Sequence, residues 1–175
     1  MMNNTTVDIN FHELCEKLRS MKLSSMADTL EKQLANPNSG LQSFDERISE
    51  IICSEWDTRY NKKFIRFLKK ATLKYPAADI DESIYDADRF LDTGTIERLA
   101  ACDWIDEGKN LLITGSTGSG KTYISNALCI SALRLFHTVR YVKASTLIYE
   151  SEQAQVTGEY LNYTKKLAAL DLLVI

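Results

Sequence analysis

Between Asn110 and Thr122 the chain reads NLLITGSTGSGKT. The residue types from Gly115 to Thr122, at this spacing, suit the holding of a polyphosphate. Gly115, Gly120, Lys121 and Thr122 fill the fixed positions of the phosphate-loop pattern G-x-x-x-x-G-K-[ST]. Gly115, Gly118 and Gly120 let the backbone bend so that successive N–H groups converge on an anion. Lys121 carries a mobile positive charge to the β- and γ-phosphates, and the Thr122 hydroxyl can ligate Mg²⁺. A helix that starts near Gly120 adds its positive end to the same place. The set expected to hold a nucleoside triphosphate is therefore Gly115, Ser116, Thr117, Gly118, Ser119, Gly120, Lys121, Thr122 and Tyr123, with Lys121 as the catalytic cation and Thr122 as the metal ligand.

Such a loop works only between a strand and a helix, and the flanking residues predict both. Leu111, Leu112 and Ile113 read as a buried strand, and Tyr123–Phe136 as a helix with small residues for close packing. Val139–Val142 is a second expected strand. Two helices follow over Ser145–Gln155 and Glu159–Leu170, and Leu172–Ile175 is a third buried strand. This alternation predicts a parallel α/β sheet. Upstream the pattern is helical. Asn10 opens one helix, Ser24 or Ser25 a second, and Asn36–Gly40 is a turn. Ser43-x-x-Glu46 is a capping box at the head of the longest helical stretch.

In that stretch Phe44, Ile48, Ile52, Trp56, Tyr60, Phe64 and Leu68 recur at every fourth position. A step of four overshoots the helical period, so the stripe winds by about 40° per step. A bend or break near Asp57–Asn61 is expected, and an end at Pro76. Arg59, Lys62, Lys63, Arg66, Lys69, Lys70 and Lys74 lie in a span without acids, and such a basic helix can run along phosphates. From Asp79 to Glu107 there are ten acids against Arg89 and Arg98, and the acidic stretch 79–94 reads as a linker.

With 175 residues, 26% charged, and a formal charge of −3, the chain has the composition of a soluble protein of one or two domains, not a wholly basic nucleic-acid binder. Cys15, Cys53, Cys102 and Cys129 lack zinc spacing and read as small core residues. Trp56 and Trp104 read as core anchors, His12 and His137 as surface or boundary residues, and Tyr149, Tyr160 and Tyr163 as helix-packing or base-stacking groups. No apolar run reaches membrane-span length and no secretory h-region opens the chain. A cytoplasmic, reduced protein is expected, with Met1–Ile9 a loose terminus.

Four stretches carry a family resemblance: SEWDTRYNKKFIRFLKKATLKYPA, LAACDWIDEGKNLLITGSTGSGKTYISNAL, VRYVKASTLI and LAALDLLVI. The sequence resembles the N-terminal part of an IstB-like ATP-binding protein, an AAA+ helper ATPase of insertion-sequence transposition, and is similar also to DnaC-type helicase loaders. The resemblance implies a P-loop NTPase domain of AAA+ type, 95–175, behind an all-α module, 1–78, that contacts DNA or transposase. It implies ATP and Mg²⁺ as cofactors, and double-stranded DNA, the transposase of the same element and further copies of the chain as partners. It also implies that Ala144–Gly158 matches a DNA-lining helical element. In this family acidic residues follow the strand that reads LLVI, whereas Ile175 is the last residue here. The sequence is thus expected to lack the Walker B carboxylates, the sensor residues and the arginine finger, to leave two sheet edges unpaired, and not to hydrolyse ATP alone. A helicase loader and a non-catalytic DNA-binding fragment are the alternatives. A kinase or GTPase fits less well, because no N-K-x-D motif is present and a long helical preface stands before the loop.

Overall fold

The structure, a computed structural model, describes residues 10–80 and 92–175. The expected loose terminus and residues 81–91 of the acidic linker lie outside the described residues. The chain forms two compact units, one up to Lys62 and one from Lys63.

In the first unit, helix α1 spans Phe11–Ser20 and begins as expected at Asn10, whose Oδ1 accepts the N–H groups of His12 and Glu13 at 3.2 and 3.5 Å. Helix α2, Ser24–Ala35, lies against it, with Cys15 and Ala27 buried. Arg19 joins the two helices through Asp28 and Glu31 at 3.0 and 2.8 Å. Pro37–Leu41 is a 3₁₀ turn. Helix α3, Phe44–Ala71, follows the predicted capping box: Glu46 accepts the Ser43 N–H at 2.7 Å, and Ser43 Oγ accepts the Glu46 N–H at 3.3 Å. Residue 23, which precedes α2, is Leu and offers no side-chain cap. Glu55 of α3 takes over that role, its Oε2 accepting the Ser25 N–H at 3.0 Å.

The expected break near Asp57–Asn61 is absent: α3 is one helix of 28 residues. The winding of the stripe is accommodated by a change of surroundings along a continuous helix. Phe44 and Trp56 are 78% and 69% exposed, with Ile48 and Ile52 also facing solvent, while Phe64 and Leu68 pack on the core of the second unit. Trp56 and Cys53 are therefore not core residues, contrary to expectation. The buried positions of α3 in the first unit include Ile51 and Glu55, and the next residue, Trp56, is turned about 100° away from Glu55.

The second unit is built on helix α6, Lys121–Arg134, which contributes the fully buried Cys129, Ala132 and Leu133. Around these pack Ala71 at the end of α3, Cys102, Ile105 and Val139, with Phe67 and Trp104 partly buried on the same cluster. Trp104 is thus a core anchor, as expected, its Nε1–H donating to the Leu99 carbonyl at 2.9 Å. Helix α4, Thr93–Ala100, is capped by Asp92, and α5, Asp103–Asp106, is a single turn. Strand β1, Val139–Tyr141, is followed by α7, Ala144–Val156, α8, Tyr160–Ala168, and strand β2, Leu172–Val174. The two strands are parallel, in the register Val139 to Leu172 and Tyr141 to Val174.

Among the described residues the fold is mostly helical with this small parallel sheet, and the expected three-stranded sheet is reduced to two strands. Leu111–Ile113 is not a strand. Leu112 is 86% exposed, and no ladder forms along these residues. An apolar run is a strand only when another strand takes its N–H and C=O groups, and here β1 and β2 pair with each other.

Thr138 and Asp171, one residue ahead of each strand, lock the sheet's entrance. The Asp171 carboxylate accepts the Thr138 N–H at 2.7 Å and its hydroxyl at 2.8 Å, and the Asp171 N–H reaches the Thr138 carbonyl at 3.1 Å. These bonds from Thr138 hold the Asp171 carboxyl below its ordinary value. Asp171→Ala is expected to cost about 1–2 kcal/mol, the worth of bonds to an exposed charged acceptor, read in a urea titration. Because the folded-state pKa is depressed, this contribution is complete above the ordinary carboxylate range and is lost as pH falls through the folded value.

Candidate phosphate-binding site

The loop Gly115–Gly120 leads into α6 through glycine geometry. Gly120, with φ +90°, stands at the cap position of the helix. Gly115, with φ +154°, has Ser119 Oγ only 3.0 Å from where a Cβ would sit. A side chain at either place strains the turn. The first N–H groups of α6 have no partner within the helix, and they open at the end where the helix dipole is positive.

Lys121 Nζ donates to the carbonyls of Gly115 and Ser116 at 2.9 and 2.7 Å, so its charge is held by the loop's own backbone. Lys121 and Thr122 also line a cavity of about 520 Å³ whose other walls include Leu111, Ile113, Leu128, Tyr141 and Leu172. The Thr122 hydroxyl makes no hydrogen bond among the described residues. No group of three or more His, Cys, Asp or Glu that could hold a metal occurs among the described residues. A lone hydroxyl fits a magnesium ion that arrives with phosphate oxygens, since Mg²⁺ takes few protein ligands when a nucleotide supplies the rest. Asp171 is the one acidic side chain lining the cavity among the described residues, and Thr138 occupies it.

Of the expected set, Lys121 and Thr122 therefore meet at the cavity, with Gly115–Gly120 forming the loop beside them. Tyr123 points elsewhere. Its hydroxyl accepts the Asp79 N–H at 3.2 Å, and its ring lies 6.2 Å from that of Tyr75. Asn126 did not stand out in the sequence. Its amide is fully buried: Oδ1 accepts the Tyr75 N–H at 3.0 Å, and Nδ2 donates to the Thr122 carbonyl at 2.7 Å. The available signal was a single carboxamide among the otherwise small or apolar residues 124–133, since a buried amide must be bonded to be tolerated.

The basic residues divide. In the first unit Arg59 is engaged by Glu55 at 2.8 Å and by the Lys22 carbonyl at 2.9 Å, while Lys62 is exposed. In the second unit Lys63 lies over the Phe136 ring at 3.7 Å, Arg66 stands beside Phe67 and Lys74 beside Tyr75. Lys69 and Lys70 are exposed and form no ion pair among the described residues. Tyr149 and Tyr160 are exposed, whereas the Tyr163 hydroxyl donates within the α7–α8 pair, to Leu147 and Glu150. No described helix is long and apolar enough to cross a membrane.

Residues 16–175 match the family model described as IstB-like ATP binding protein. The chain is 35% identical over 159 residues to a Pseudomonas fluorescens protein named as a putative ATP-binding protein of insertion sequence IS1162, covering 91% of this chain and 69% of that one. It is 32% identical over 164 residues to an insertion-sequence ATP-binding protein of Sinorhizobium fredii, covering 94% of this chain and 66% of the relative. This chain thus spans about two thirds of the relatives' length. With the phosphate loop, its helix and these matches in agreement, the chain belongs to the IstB-like ATP-binding protein family of insertion sequences.

Proposed function

We propose that this chain binds ATP with Mg²⁺ through Gly115–Tyr123, as the AAA+ nucleotide module of a protein that assists DNA transposition. The observation that carries the reading is the placement of Lys121 and Thr122 at the head of α6, behind a loop that only glycines can turn. The names of the relatives, ATP-binding and insertion-sequence, support it. In this reading residues 1–78 form the module for DNA and partner, 79–94 the linker and 95–175 the nucleotide domain. Lys121 draws the β- and γ-phosphates, Thr122 contributes one oxygen to the metal, and Tyr123 fixes the neighbouring segment. Lys62, Lys63, Arg66, Lys69, Lys70 and Lys74 offer charge to duplex DNA, with Arg59 a weaker member because Glu55 holds it. The protein works in the cytoplasm as an oligomer on DNA, beside the transposase of its element.

The test is a titration with a fluorescent ATP analogue, with and without Mg²⁺ and duplex DNA. Saturable, magnesium-dependent binding is expected. Replacing Lys69 and Lys70 by Glu is expected to weaken duplex binding and to lower the salt slope by about two, roughly one for each phosphate no longer neutralised. No saturable nucleotide binding, or DNA binding unmoved by the charge reversals, overturns the corresponding half of the reading.

A further inference from the structure

We infer that the segment 72–80 is a relay that passes nucleotide occupancy from the phosphate loop to the basic end of α3, with Asn126 as its positioning residue; this rests on the nucleotide reading above. The segment leaves α3 at Thr72, in left-handed backbone with φ +54°, where the Thr72 hydroxyl donates to the Tyr141 carbonyl at 2.8 Å. It then follows α6 and is tied to it repeatedly. The Tyr75 N–H ends on Asn126, both backbone polar groups of Asp79 end on the Tyr123 hydroxyl, and the Asp79 carboxylate meets Arg134 at 3.2 Å. Between these ties Ala78 is buried against Ala127 and Ile130.

Two of the anchors, Tyr123 and Asn126, stand one and four residues after Thr122 on α6, outside the cavity lining itself. Asn126 grips the Thr122 carbonyl with the same amide that holds Tyr75, and Tyr123 is the next residue. Asn126 is fully buried, so its two bonds cannot be exchanged for water without cost. Lys121, immediately before, is held by the Gly115 and Ser116 carbonyls. A phosphate competes with those carbonyls for the ammonium, which gives the Lys121 side chain two arrangements at the head of residues 121–123. Whatever shifts their backbone moves both ends of the Tyr75–Asp79 attachment, and Lys69, Lys70 and Lys74 stand just before it in the chain. Coupling of this kind needs an element with two arrangements biased from both sides, and the loop with its lysine supplies one.

Backbone hydrogen exchange reads the relay directly, because the Tyr75 and Asp79 amides are themselves the ties. With a non-hydrolysable ATP analogue and Mg²⁺, exchange is expected to slow over 115–122 and also to change roughly fivefold or more over 69–80, the low end of ordinary coupling between sites. Protection at 115–122 with 69–80 unchanged overturns the relay and leaves the nucleotide site standing. No change at 115–122 at saturating analogue overturns the nucleotide reading and the relay with it. In Asn126→Ala the loop is expected to remain protected while the 69–80 response is lost, and Asn126→Asp, which keeps an acceptor for the Tyr75 N–H but has no donor for the Thr122 carbonyl, is expected to lose it as well. An undiminished 69–80 response in Asn126→Ala removes Asn126 from the relay. The wild-type comparison decides the relay itself even if that variant does not fold.

Discussion

Lys121→Ala is expected to lower affinity for the magnesium complex of ATP about 100-fold, which is roughly 2.7 kcal/mol and the worth of one or two charge-assisted bonds to phosphate. The ammonium bonds only to the loop carbonyls of Gly115 and Ser116 among the described residues, and nothing in the core depends on it. Unfolding stability is therefore expected to stay within about 0.5 kcal/mol of the parent, as for substitutions away from structural features. The pairing of the two results is the informative part. A binding loss with unchanged stability identifies Lys121 as a phosphate ligand. Equal affinity in parent and variant means that the loop does not bind nucleotide through its lysine.

The second large effect is expected in the first unit. Glu55→Ala should destabilise it by about 2–3 kcal/mol, because it removes a buried acceptor of a charged bond and the cap of another helix together. Glu55 is buried, bonds Arg59 Nε at 2.8 Å, and accepts the Ser25 N–H at the start of α2. The Arg59 bond, followed by the backbone N–H groups of Ser25 and Met26, holds its carboxyl below the ordinary value of 4.5. A depressed folded-state pKa means that this stabilisation is complete above the ordinary value and disappears as pH falls through the folded one. Hydrogen exchange of α1 and α2 in the parent and in Glu55→Ala, at neutral and acid pH, checks both statements. Exchange should be faster in the variant at neutral pH, and the two should converge in acid. Equal exchange at neutral pH overturns the assignment of Glu55 as the cap of α2.

Local chemistry was legible where the physics is local. The Asn10 and Ser43 caps, the turn after α2 and the helix behind the phosphate loop all follow from residues close in the chain. The parallel pairing of β1 with β2 followed from the alternation of short apolar runs with helices. The glycines of the loop belong to the local class, since a positive φ is a property of one residue. Leu111–Ile113 failed for the opposite reason. Its apolar run satisfied the pattern of a strand, yet a strand is a relation between two segments, and these residues form no ladder.

The stripe on α3 shows the same division. Its spacing dictated a winding of the apolar face, and the winding is present. Whether the helix would break or hold straight depended on what lies against each turn, which periodicity does not contain. The outcome placed Trp56 in solvent and Phe64 against a core. Asn126 was invisible because its partners, Tyr75 and Thr122, lie 51 residues before it and one helical turn before it. The sequence by itself determined the phosphate loop, its lysine and threonine, and the helix that carries them, because each rests on spacing along one chain segment. Only the tertiary structure decided that Tyr123 and Asn126 face the segment 72–80, that Glu55 caps a helix not its own, and that half of the apolar stripe is left to solvent. Those are relations between distant residues, set by packing and burial.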